Sequence, residues 1–80
     1  RTPDTLIVDP PRTGMSKASL AGALALGAAR IVYVSCDVAT LARDARRFVD
    51  AGYALARVDA FDLFPNTPHV ETVAMLQRAR

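Results

Sequence analysis

Ile31-Val32-Tyr33-Val34-Ser35-Cys36-Asp37 is the stretch on which the reading of this chain turns. Its first four residues are β-branched or aromatic, the composition of a buried strand. From Val38 onward the period changes. Leu41, Ala45, Phe48 and Val49 recur at the i, i+4, i+7, i+8 spacing of a single helical stripe. The pattern predicts a strand over 31–35, apolar enough to be covered on both faces. A helix follows, capped by Asp37 and ended by Gly52. Arg43, Asp44, Arg46, Arg47 and Asp50 fall largely off the stripe, and Arg46 and Asp50 are spaced to pair weakly. Cys36, the single cysteine, therefore stands where a strand ends and a helix begins. In open α/β sheets that edge is where ligands bind. A helix amino terminus also favours a nucleophilic thiolate. The neighbouring carboxylate of Asp37 opposes this unless it turns away to cap the helix. Taken alone, a lone cysteine reads as a buried structural group.

Working upstream, Leu6-Ile7-Val8 is a short apolar run closed by Asp9-Pro10-Pro11. Proline donates nothing to a ladder, so the strand stops there. Gly14 suits the turn that follows. Ser16 is a candidate cap for a helix reaching about Leu26, with Leu20, Ala23 and Leu24 on its apolar face and Gly27 as its stop. Downstream, 54–61 reads as a third strand, 62–68 as a loop with two prolines and an asparagine, and 70–77 as a fourth strand. The order is β-α-β-α-β-β, without repeats. The two strand-helix-strand passages predict parallel neighbours with right-handed crossovers. The last two strands are joined by a loop too short for a helical crossover, so they should pair antiparallel.

At 80 residues the chain is one domain at most and short for a doubly wound enzyme domain. Its 51% hydrophobic content excludes a disordered tail. The net charge of +2, carried by nine arginines and Lys17, is compatible with an RNA partner without demanding one. One cysteine excludes an internal disulfide framework and fits a reducing, cytoplasmic setting. No leader and no apolar run long enough to span a bilayer is read in it. A start at Arg1 without methionine suggests a piece of a longer protein.

Three segments, in order, carry a family likeness. They are Val8-Asp9-Pro10-Pro11-Arg12-Thr13-Gly14; Tyr33-Val34-Ser35-Cys36 with Thr40-Leu41-Ala42-Arg43-Asp44; and Phe64-Pro65 with His69-Val70-Glu71. Together they resemble the RNA (uracil-5-)-methyltransferase family. These enzymes transfer a methyl group from S-adenosylmethionine to carbon 5 of a uridine in ribosomal or transfer RNA. Asp-Pro-Pro alone is shared with adenine and glutamine methyltransferases; the Ser-Cys segment and its continuation are far more specific. One departure is Asp37-Val38, where the family commonly has Asn-Pro or Asp-Pro after the cysteine; proline at a first helical position is helpful but replaceable. The likeness covers nearly all of 1–80, but only the C-terminal part of such a catalytic domain. It implies the C-terminal half of a Rossmann-like methyltransferase sheet of α/β class, with an antiparallel last strand inserted between the two before it.

The resemblance also implies roles. Carbon 5 of uracil is a weak nucleophile until a thiolate adds to carbon 6, a covalent route that splits one hard step into two. Cys36 matches that thiolate, and Glu71 the base that removes the carbon-5 proton. Partial burial suits a carboxylate to such work. Asp9 would position the uracil edge and the methyl donor, or merely cap a turn. Pro10 would stiffen the pocket wall, Arg12 would hold a phosphate or anchor the loop by an ion pair, and His69 would shape the site beside the base. No metal is implied. The target uridine must be flipped or looped out to be reached. Gly14, Gly22, Gly27 and Gly52 form no G-x-G cluster, so S-adenosylmethionine should bind this stretch weakly or not at all. The chain alone should be inactive, and should self-associate through an exposed sheet edge. Two other readings compete. One is an inactive structural or assembly half-domain. The other is an adenine or glutamine methyltransferase using only the Asp-Pro-Pro loop, which leaves Cys36 and Glu71 unexplained.

Overall fold

The strand expected at 31–35 is β2 (Arg30–Ser35), the central parallel strand of a four-stranded sheet. Around it the chain runs β1 (Thr5–Val8), α1 (Lys17–Leu26), β2, α2 (Val38–Asp50), β3 (Tyr53–Phe61) and β4 (Glu71–Arg78). This computed structural model describes residues 4–61 and 70–79. Strand ends differ from the sequence reading by one residue at each of the four strands.

The sheet order is β1-β2-β4-β3. β1 pairs parallel with β2 from Thr5↔Arg30 to Val8↔Tyr33. β4 is antiparallel to both its neighbours, from Arg30↔Gln77 to Ser35↔Thr72 against β2 and from Tyr53↔Arg78 to Phe61↔Glu71 against β3. The second ladder shifts register between Leu55 and Arg57, the mark of a bulge. The inserted antiparallel last strand is thus as expected. The second strand-helix-strand passage does not give neighbours, because β4 lies between β2 and β3.

Cover on both faces of β2 is not what the described residues give. Ile31, Tyr33 and Ser35 are buried, while Val32 and Val34 are only half-buried. By register, Ile31 and Tyr33 share a face with Leu76 and Ala74. These four join one core cluster with Met15, Ala23, Leu41, Phe48 and Tyr53, with Leu20, Leu24 and Ala45 packed against it. Ile31, Tyr33, Phe48 and Leu76 reach no solvent. Each large apolar side chain buried this way contributes about 1.5–3 kcal/mol. The Phe48 and Tyr53 rings meet edge to face at 5.9 Å, and the Tyr53 hydroxyl donates to the Ala28 carbonyl at 2.6 Å. That bond ties the start of β3 to the turn before β2.

The helices begin and end largely as their sequences indicate. Ser16 caps α1, accepting the Ser19 N–H at 3.0 Å, and Gly27 closes it in the left-handed region at φ 65°. Asp37 caps α2. The α2 C-cap is Ala51, with Gly52 following at φ 108°. The buried stripe of α2 needs one correction. Val49 is 37% exposed, whereas Asp44 is fully buried. Asp44 stands three residues after Leu41 and four before Phe48, in the middle of the stripe; only its charge argued for the outside. No helix among the described residues is long and apolar enough to cross a membrane.

Candidate active site at the carboxyl edge of the sheet

Parallel β1 and β2 both finish at one edge of the sheet, and antiparallel β4 starts there. Asp9 directly follows Val8, which pairs with Tyr33. Ser35 and Thr72 are the last partners of the β2–β4 ladder. Cys36 is the next residue beyond Ser35, and Glu71 the residue before Thr72 and the register partner of Phe61. Residues 35 positions apart in the chain are thereby brought to adjoining strand ends. Cys36 is exposed, unlike a structural core cysteine. Glu71 and Pro10 are half-buried, while Asp9 and Arg12 are exposed. His69, with Phe64 and Pro65 of the third sequence segment, lies outside the described residues.

The turn carrying Cys36 is closed on itself. The Ser35 hydroxyl accepts the Asp37 N–H at 3.0 Å and donates to the Asp37 carbonyl at 2.9 Å. The Asp37 carboxylate accepts the Thr40 N–H at 3.0 Å. That backbone bond above all, with the Ala39 N–H and the nearby Arg12 charge, holds the Asp37 carboxyl below its usual range. Its charge is thus engaged by the helix amino terminus.

Behind this edge, the loop after Asp9 is stitched to α2. Within the loop, the Gly14 N–H donates to the Pro11 carbonyl at 2.8 Å. The Thr40 hydroxyl donates to the Arg12 carbonyl at 2.9 Å, and Arg43 Nη2 to the Thr13 carbonyl at 2.9 Å. The Met15 N–H donates to Asp44 Oδ2 at 2.8 Å, and Arg47 Nη1 to the Met15 carbonyl at 2.8 Å. Asp44 is the hub. Its Oδ1 takes Arg47 at 2.8 Å and Arg43 at 3.1 Å, and its Oδ2 also takes the Tyr33 hydroxyl at 2.5 Å. Burial alone would push the Asp44 carboxyl up. The bonds from Tyr33, Met15, Arg47 and Arg43 outweigh it and leave that carboxyl below its usual range. Burial and then the bond to Asp44 push the Tyr33 hydroxyl up.

Gly14 allows this close approach. It adopts φ 88°, and a Cβ there would lie 2.3 Å from Arg43 Nη2, 2.5 Å from Thr40 Cγ2 and 2.7 Å from Asp44 Oδ2. In the sequence Tyr33, Thr40, Arg43 and Asp44 stand in a matching segment, and Arg43, Asp44 and Arg47 read as charges off the buried stripe; none of them carries a role of its own there. The signal available was the position of Asp44 within the buried stripe, since a charge at such a place needs several partners.

Over residues 2–79 the sequence matches the family described as tRNA (Uracil-5-)-methyltransferase. The chain belongs to this family. Among relatives of the tRNA (uracil-5-)-methyltransferase member described here, an "uncharacterized RNA methyltransferase" of Streptococcus pyogenes serotype M3 is 47% identical over 74 residues, 92% of this chain and 16% of its own. One of Streptomyces avermitilis is 50% identical over 76 residues, 95% of this chain and 18% of its own. The crystal structure of Pyrococcus abyssi tRNA (uracil-54, C5)-methyltransferase in complex with S-adenosyl-L-homocysteine superposes with a TM-score of 0.80 at 44% identity. The match covers 91% of this chain and 18% of that one. The chain thus spans less than a fifth of the length of these relatives.

Proposed function

We propose that this chain is the C-terminal part of the catalytic domain of an RNA uracil-5-methyltransferase, supplying its nucleophile and its base. The observation that carries the reading is the β2–β4 register. It sets Cys36 and Glu71 at adjoining strand ends, on the edge where β1 delivers Asp9. The structure of a tRNA (uracil-54, C5)-methyltransferase with S-adenosyl-L-homocysteine supports S-adenosylmethionine as methyl donor and a uridine in RNA as acceptor.

The described residues fit one wall of a donor site. Asp9 is exposed at the carboxyl edge beside Pro10 and would hold a polar group of the donor or the uracil edge. Gly14, the glycine nearest that wall, is committed to the approach of α2, so further donor contacts would come from other parts of the enzyme. The donor, when bound, supplies an electrophilic methyl group.

The work of this chain is done on the uracil. The Cys36 thiolate adds to carbon 6, forming an S–C6 bond and pushing the electron pair of the 5,6 double bond into an enolate. Carbon 5 would then be nucleophilic enough to take the methyl group, the bond from that methyl to the donor's sulfonium sulfur breaking and its electron pair leaving with the sulfur as a thioether. Glu71 takes the proton left on carbon 5, the electrons of that C–H bond restore the double bond, and the S–C6 bond breaks to return the thiolate. Arg12, on the same loop as Asp9, is suited to a phosphate of the RNA.

The two principal residues should fail differently in the full-length enzyme carrying this segment. Cys36→Ala should abolish methyl transfer and any covalent RNA adduct. Glu71→Gln should allow addition and methylation but stall before elimination, so that an adduct with methylated RNA accumulates on denaturing gels. Normal turnover by Glu71→Gln, or activity in Cys36→Ala, overturns the assignment.

A further inference from the structure

We propose that Asp44 is a positioning residue: its carboxylate pins residues 11–15 to α2 and so sets Asp9 and Arg12 against Cys36. The proposal rests on the uracil-5-methyltransferase reading of the edge.

Two observations carry it. First, the loop holding Asp9 and Arg12 and the helix that starts just after Cys36 are separate elements, and their described links converge on one face of α2, over two turns. Thr40 takes the Arg12 carbonyl, Arg43 the Thr13 carbonyl, Asp44 the Met15 N–H and Arg47 the Met15 carbonyl. Second, Asp44 orients that face. Its two oxygens accept from Tyr33, Met15, Arg43 and Arg47, so both arginines and the loop backbone are held through one buried group. Tyr33 lies on β2 in register with Val8, the residue before Asp9, so the same carboxylate also ties the loop to the strand that ends just before Cys36.

An asparagine at 44 has one acceptor oxygen where the carboxylate has two. Its amide group must face either the Tyr33 and Met15 donors or the two guanidinium groups, and donors then oppose donors. The loop should loosen while α2, capped independently by Asp37, persists.

The experiment uses the full-length enzyme with Asp44→Asn and, separately, Thr40→Val, which removes the hydroxyl's bonds to the Arg12 carbonyl and the Asp37 carboxylate and leaves the backbone cap from Asp37 to the Thr40 N–H in place. Amide hydrogen exchange and single-turnover adduct formation with RNA are measured on both. In Asp44→Asn the Gly14 and Met15 amides should exchange at least about tenfold faster while those within α2 do not. The adduct rate constant should fall by about tenfold to a hundredfold, the scale of misplaced reacting groups. Thr40→Val should lower the same rate constant about threefold to tenfold with an unchanged melting temperature. A merely structural defect lowers the amplitude of the single turnover and leaves its rate constant alone. Should Asp44→Asn not fold, Thr40→Val decides. Wild-type rate constants in the folded variants, or unchanged Gly14 and Met15 exchange in folded Asp44→Asn, overturn the positioning role while the methyltransferase reading stands. A wild-type enzyme forming no adduct sinks that reading instead, and the exchange data still judge the attachment of the loop.

Discussion

The Tyr33 hydroxyl donates to Oδ2 of Asp44 at 2.5 Å, joining β2 to α2 where neither residue reaches solvent. Tyr33→Phe should lower stability by about 1–3 kcal/mol, the range for a buried hydrogen bond to a charged group, read from urea unfolding of the full-length enzyme. The Asp44 carboxyl lies below its ordinary value of 3.8 in the folded chain. Its contribution is therefore complete above pH 3.8 and is lost as pH falls through the depressed folded value. Wild type and Asp44→Asn should differ most near neutrality and converge in acid. A gap that widens on acidification would contradict the assignment.

Gly14→Ala should be among the costliest small substitutions in the chain. The positive φ alone carries a strain of about 1 kcal/mol or more. The methyl group would also have to displace Arg43, Thr40 or the Asp44 carboxylate. A fall of several degrees in melting temperature with loss of methyl transfer is expected. Gly22→Ala, with nothing near its Cβ position, should be tolerated or slightly stabilising.

Titration calorimetry of the 80-residue chain with S-adenosylmethionine should show no binding at micromolar concentration, because on the proposed reading the chain would offer only one wall of a donor site. Micromolar affinity would mean that Asp9 and its loop do far more than line an edge.

The same chain should self-associate. Among the described strands β1 has a hydrogen-bonded neighbour on one side only, and Ile7 on it is 69% exposed. Unpaired backbone beside exposed apolar side chains is a template for pairing with another strand. Sedimentation should show mass rising with concentration; a monomer throughout would contradict this.

Element types and their order were legible because hydrophobic period, prolines and caps agreed along the chain. The position of β4 was not readable from period alone, since alternation says nothing about which strand lies between which; the family likeness supplied it. The positions of Cys36 and Glu71, just past the end of β2 and at the start of β4, were legible for a related reason. What remained hidden was the polar network. Asp44 looks like a surface charge beside Arg43, Arg46 and Arg47, and only the folded chain brings Tyr33 and the Met15 N–H to it. Arg46, by contrast, pairs with Asp50 at 3.1 Å on the exposed face, as its spacing suggested, and such a pair contributes little.

The insertion of β4 between β2 and β3 also has a consequence in time. During synthesis, the segment bearing Cys36 emerges before β4, and β3 among the described strands pairs only with β4. A nascent chain that has reached Phe61 holds the thiol but has neither the carboxylate of Glu71 nor a closed sheet edge around it. The two groups proposed to react would become a pair only when the last strand slots home, so that on the proposed reading chemistry and completion of the fold arrive in the same event.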